Sequence, residues 1–206
     1  MVNAKFLSQL YGRPEVVFKP WVPYLNESLV LAKVNSDKGL AHFLSQIGHE
    51  SGGLLYTTEL WGPTKQQLRY ERTPVAYWGK YNQRFHTRTW TNKLAFDLGN
   101  FAKGDGYLYR GRGLIQVTGR ANYVMANQRL NTLLGSSVGN LVTNPSLLSS
   151  FQLATYSAAD YWVRRNLDTI VDTATVSQIT RVVNGGYNGL SHRQLLYNRF
   201  FLLNRN

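Results

Sequence analysis

The chain contains no cysteine and very few acids. Without cysteine in 206 residues there is no disulfide, no thiolate nucleophile and no cysteine zinc site. That usage suits a protein folded in a reducing compartment. Eleven Asp and Glu face 23 Lys and Arg, a formal charge of +12. So basic a balance points to an anionic partner: nucleic acid, an acidic membrane surface or an acidic cell-wall polymer. No apolar run approaches the ~20 residues of a membrane span. The opening MVNAKFLSQLYGR lacks the apolar core of a signal peptide. The expectation is a soluble protein made in the cytoplasm, with no stable membrane insertion. His42, His49, His86 and His192 have no ligand spacing, so no metal or other cofactor is expected.

What the chain does have is a hydrophobic content of 43%, enough for a substantial core. Its length fits one domain, or one domain with a small second lobe. Apolar spacing and breakers predict helices over 3–11, 23–34, 38–51, 120–134, 151–166, 175–183 and 191–203, with a shorter one near 91–99. Pro23 suits a first helical turn. Residues 107–118 alternate and carry β-formers, which predicts a short strand or hairpin, with Gly111, Gly113 and Gly119 permitting close backbone approach. Residues 62–100 interleave basic and aromatic side chains. This pattern fits nucleic-acid binding, sugar stacking or a helical lobe with an aromatic core.

The segment Gly39–Trp61, GLAHFLSQIGHESGGLLYTTELW, organises the rest. Leu40, Phe43, Leu44 and Ile47 recur at helical spacing and predict one buried face. Ser36 or Asp37 is the expected N-cap, and Gly52-Gly53 the stop. Glu50 then falls on the last turn. There the helix dipole and burial both favour a neutral carboxyl, which a general acid needs. From this stretch alone Glu50 reads equally as the exposed last residue of an ordinary helix. Glu59 lies beyond the glycines, and reads either as a second catalytic carboxylate or as a surface partner for an arginine.

Four ordered blocks carry a family resemblance: HESGG at 49–53, TELW at 58–61, YRGRGLIQVTGRANY at 109–123 and NGGYNGLSHR at 184–193. Together they resemble glycoside hydrolase family 19, which comprises chitinases and bacteriophage cell-wall lysins. The cysteine-free, single-domain form is most similar to a phage endolysin. The resemblance implies a mainly α (α+β), lysozyme-like fold with a small β-hairpin or sheet beside the active-site cleft. It implies inverting cleavage of β-1,4 links to amino sugars. By motif position Glu50 matches the general acid and Glu59 the general base. Thr118 matches a residue that helps hold the attacking water. Gln116, Asn122 and Asn184 match sugar contacts. Arg193 matches an arginine paired with the acidic site; a positive neighbour suits a base better than an acid. His49 is expected to support the acid by hydrogen bonding.

Inversion needs the two carboxyls about 6.5–9.5 Å apart, room for a water between. A Gly-Gly break between them permits that; one helical turn does not. The expected organisation is a single catalytic domain over 1–206, with 62–100 as the candidate smaller lobe and no separate wall-binding domain. The expected function is a monomeric peptidoglycan hydrolase for host cell lysis. It would collect in the host cytoplasm and reach the wall once a holin opens the membrane. A chitinase is the enzymatic alternative. A catalytically silent wall-binding module is disfavoured by the intact Glu50, Glu59 and Thr118 set. Nucleic-acid binding is disfavoured because an anionic envelope already accounts for the charge.

Overall fold

The computed structural model describes residues 1–71, 93–135 and 138–204. The helices are α1 (Ala4–Tyr11), α2 (Val22–Leu31), α3 (Asp37–Glu50), α4 (Lys65–Leu68), α5 (Lys93–Asp97), α6 (Asp105–Leu108), α7 (Arg120–Leu134), α8 (Phe151–Arg164), α9 (Leu167–Ile170), α10 (Val176–Asn184) and α11 (Leu190–Leu203). Short 3-10 turns lie at Glu15–Val17 and Pro145–Ser149.

Local chemistry sets most of the boundaries. Ser36 caps α3, its hydroxyl accepting the Gly39 N–H at 3.0 Å. Ser150 caps α8 in the same way. Thr175 and Gln178 form a reciprocal capping box at the start of α10. Proline occupies the first turn of α2. That helix ends three residues before the sequence pattern suggests, because Lys33 takes a left-handed φ of 53°.

The central helix differs from its predicted form. Residues Ala41 through Gly48 are all buried, so α3 is enclosed on every side rather than along one face. It packs most extensively against α11, and also against α10, while α2 lies along α8. Phe43, Leu44 and Ile47 are almost wholly excluded from solvent; each such burial contributes roughly 1.5–3 kcal/mol. A second apolar cluster gathers Tyr109, Tyr123, Leu130, Leu141 and Leu148. Helix α8 joins the two, giving Ala154 and Ala158 to the first cluster and Leu153 and Tyr156 to the second.

The hairpin expected over 107–118 is not what the chain forms. Tyr107 and Leu108 close α6 instead. The Glu71 carboxylate accepts the Gly104 and Tyr107 N–H groups, both at 3.0 Å, and so supports that turn of helix. Further on, Gly113, Gln116 and Gly119 adopt positive φ (78°, 55° and 92°), which breaks any continuous ladder. Among the described residues the β element is reduced to two single antiparallel bridges, Thr58 to Arg112 and Arg112 to Val117. Of the 62–100 stretch, residues 72–92 lie outside the described residues; α4 and α5 flank them. Among the described residues no helix is long and apolar enough to cross a membrane.

Candidate active site

Glu50 is the last residue of α3, and its side chain is 21% exposed. Close packing sets its position. The Tyr11 ring lies over Gly48, where a Cβ would meet it at 2.4 Å, and its hydroxyl donates to the Leu44 carbonyl at 2.9 Å. After Ser51 the chain passes through three successive left-handed residues: Gly52, Gly53 and Leu54, with φ of 60°, 73° and 64°. For Leu54 this costs roughly 1–2 kcal/mol. It is held by burial and by an N–H donated to Ser51 Oγ at 2.9 Å.

Arg193 reaches Glu50 from α11, donating from Nη2 to Oε1. The arginine is fully buried. Its Nη1 donates to Gln46 Oε1 at 2.5 Å and its Nε to the Asn188 carbonyl at 3.3 Å. The arginine thus sits on the expected acid, not on the expected base, because α11 packs along α3 and delivers it to that helix end. Its charge opposes the dipole and burial effects at Glu50. Gln46 lies one helical turn before Glu50 and shares its face, a spacing visible in the sequence.

His49 contacts α11 rather than Glu50. Its Nδ1 lies 3.0 Å from His192 Nδ1. Burial pushes the His49 imidazole below its ordinary value; Arg193 and His192 add to this and Glu50 opposes it. The ring fits because position 189 is glycine: a Cβ there would fall 1.9 Å from His49 Cε1.

Glu59 is held differently. Its Oε2 accepts the Gly111 N–H at 3.1 Å and its Oε1 accepts Gln67 Nε2 at 3.2 Å. Its own N–H donates to the Gly111 carbonyl at 2.8 Å. Arg110 donates to the Glu59 carbonyl oxygen, not to the carboxylate. Gln67 is buried and fastens the whole 59–64 segment: Oε1 accepts the Gly62 and Thr64 N–H groups, both at 2.9 Å, and Nε2 donates to the Leu60 carbonyl at 2.5 Å. The signal for it is the spacing Thr64-x-x-Gln67, a capping box.

Gly111 links this wall to the next residues. A Cβ there would lie 2.6 Å from Gln116 Oε1, so the Gln116 amide rests against the glycine that holds Glu59. Thr118 Oγ1 donates to the Gln116 carbonyl at 2.9 Å, and Asn122 Nδ2 donates to the Thr118 carbonyl at 2.7 Å. Gln116, Thr118 and Asn122 line one cavity of about 220 Å³ together with Asp160, Tyr161, Arg129, Arg164 and Arg165. Asn184 lines a second, broader hollow of about 710 Å³, which shares Tyr161 and Arg165 with the first. Glu50 and Glu59 line neither. Arg112 is buried, with no carboxylate partner among the described residues, and donates to the Leu108 carbonyl and the Tyr123 hydroxyl. Asp105 and Arg120 form a two-pronged ion pair that fastens α6 to the start of α7. Among the described residues no group of three or more His, Asp or Glu could hold a metal ion.

No family model matches the sequence. The solved structures that share its fold include two chitinases. One is a bacterial family 19 chitinase, with TM-score 0.63 and 20% identity over 98% of this chain and 94% of that one. The other is chitinase C from Streptomyces griseus, with TM-score 0.61 and 21% identity over 98% and 91%. A glycosyl hydrolase family 19 domain-containing protein of Haemophilus influenzae is 33% identical over 165 residues, 76% of each chain. Identity at that level, across that much of both proteins, makes this chain a member of glycoside hydrolase family 19.

Proposed function

We propose that the protein is an endolysin-type peptidoglycan hydrolase, cutting β-1,4 bonds of the glycan backbone with inversion. The observation that supports this reading most is how Glu59 is held; the Arg193 contact works against the acid role of Glu50, which rests on motif position. Glu50 is gripped through one oxygen, Oε1, by Arg193. Its Oε2 is then the atom to carry a proton toward a glycosidic oxygen. Glu59 accepts nitrogen donors on both oxygens, the role of an ionised carboxylate, which only accepts. Thr118 spends its hydrogen on the Gln116 carbonyl, so toward a water its oxygen also accepts. A water giving one hydrogen to Glu59 and the other to Thr118 turns a lone pair to the anomeric carbon. Proton donation from Glu50 on one face and attack by that water on the other complete a direct displacement. Gln116, Asn122 and Asn184 contact the sugars, and His49 braces the helix end that bears the acid.

The basic charge, +12, fits an anionic envelope. Synthesis in a host cytoplasm, release to the wall through a holin-opened membrane, and action as a monomer in host lysis all belong to this reading. A chitinase acting on N-acetylglucosamine polymers is the second reading, favoured by the chitinases that share the fold.

Digestion of purified peptidoglycan and of chitin separates the two. Mass spectra of the released muropeptides identify the new reducing sugar, and NMR of fresh products reports its anomer. Cleavage of chitin oligomers alone would remove the leading reading. Glu50→Gln lowers turnover by about 10²- to 10⁴-fold, the usual range for a general acid. A folded Glu50→Gln protein with full activity would end the assignment.

A further inference from the structure

The cavity that holds Gln116, Thr118 and Asn122 carries more positive charge than catalysis uses. Arg129, Arg164 and Arg165 line it, and Arg165 continues into the neighbouring hollow beside Arg181 and Asn184. One carboxylate, Asp160, answers them. Its contacts with Arg129 and Arg164 are loose, at 3.9 and 3.8 Å. Burial pushes the Asp160 carboxyl up, against the pull of both arginines. Arg165 and Arg181 have no carboxylate partner among the described residues. Tyr161 sits at the junction of the two hollows, with the Arg164 and Arg165 guanidinium carbons each 5.3 Å from its ring centre. Its hydroxyl donates to the Val182 and Val183 carbonyls, which ties α8 to the end of α10.

We propose that this arginine arc around Tyr161 is an anion subsite, which takes a carboxylate carried by the glycan strand and so selects acidic amino-sugar polymers over neutral ones. The inference rests on the reading of Gln116, Thr118, Asn122 and Asn184 as sugar contacts. A neutral N-acetylglucosamine chain gives a guanidinium only hydroxyl and amide oxygens. A muramic acid residue carries a lactyl ether on its 3-oxygen, and that group bears either a free carboxylate or a peptide with carboxylates of its own. A planar guanidinium pairs with a carboxylate through two parallel hydrogen bonds. All four arginines of the arc are exposed, and among the described residues Arg165 and Arg181 are the two with no carboxylate to displace. Arg129 and Arg164 keep Asp160 as a partner and set the field.

The test compares the Arg165→Ala/Arg181→Ala double variant with a Lys5→Ala/Lys19→Ala control, which removes the same charge from exposed residues outside both hollows. Each is built on the Glu50→Gln background, so that binding is read without turnover. Circular dichroism checks the fold. Three probes of equal length are titrated: muropeptide glycan with its peptides, the same glycan stripped of peptides by an amidase, and a chito-oligosaccharide. The arc variant weakens binding of an acidic probe by about tenfold or more relative to the chito-oligosaccharide, the scale of one lost charged hydrogen bond. Loss only on the stripped glycan assigns the lactyl carboxylate, which the amidase frees; loss only with peptides present assigns the peptide carboxylates, and loss on both assigns a subsite that takes either. Equal weakening on all three probes overturns the subsite, as does no weakening, or the same ratio in the lysine control. Activity of the unaltered enzyme on chitin alone would overturn the proposed function instead, and the binding ratios would still judge the arc.

Discussion

Arg193 shows how a single side chain ties together chemistry and stability. It has no solvent exposure, yet it serves three acceptors: Glu50, Gln46 and the Asn188 carbonyl. Arg193→Ala leaves the Glu50 carboxylate and the Gln46 amide oxygen without their donor. Breaking a buried pair from one side costs about 3–5 kcal/mol. The partial exposure of Glu50 places the expected loss at the low end, about 3 kcal/mol. In a chain of this size that is a fall in Tm of roughly 10 °C. Glu50→Gln keeps an oxygen for the guanidinium and should melt within a few degrees of the unaltered protein. Scanning calorimetry on both variants checks the pair, and an unchanged Tm in Arg193→Ala would contradict the geometry. Position matters as much as charge at this helix end. Gly48 admits the Tyr11 ring and Gly189 admits the His49 ring, and neither site has room for a methyl group.

Among the elements, the helices were largely legible, because their signals are local. Ser36, Thr175 and Pro23 mark helix starts that the structure keeps. The supposed hairpin was not legible, because what decides it comes from elsewhere. Glu71 caps α6 from 33 and 36 residues away. The family resemblance named Arg193 as a partner of the acidic site, but no local pattern told which carboxylate it meets, since 143 residues separate it from Glu50. By contrast, Gln67 carried a local signal in its capping box, and its reach to Glu59 follows from where the box sits. That loop gives a test at this scale. Gln67→Ala removes the donor to Glu59 and the acceptor for two N–H groups. Turnover should fall by about tenfold or more through misplacement of the proposed base. A kcat within twofold of the unaltered enzyme would show that Gly111 alone holds Glu59.

For the molecule as a whole, His42 makes folding stability depend on acidity. It is buried in α3 against the Tyr197 ring, with Nε2 3.2 Å from the Ala174 carbonyl and Nδ1 without a hydrogen-bond partner among the described residues. Burial is the main cause that lowers its pKa from 6.5 to about 4; Lys38 adds to this, while the Ala174 bond and Asp172 oppose it. Between those values the unfolded chain holds a proton that the folded chain does not, so stability falls as pH drops from about 6.5 to about 4. Chemical denaturation across that window should show the decline, and His42→Phe should flatten it. An unchanged slope in the variant would place its source elsewhere.

The distance in sequence between Glu50 and Arg193 has a consequence for how competence arises. Both carboxylates and all of Gly52–Leu54 are synthesised well before the arginine that steadies one of them. A nascent chain, or a fragment nicked ahead of Gly189, holds both carboxylates and the turn between them but lacks the clamp on Glu50. Maturation of the proposed acid therefore waits on docking of α11 against α3, which makes the last helix a built-in delay on the proposed chemistry that the earlier part of the chain encodes.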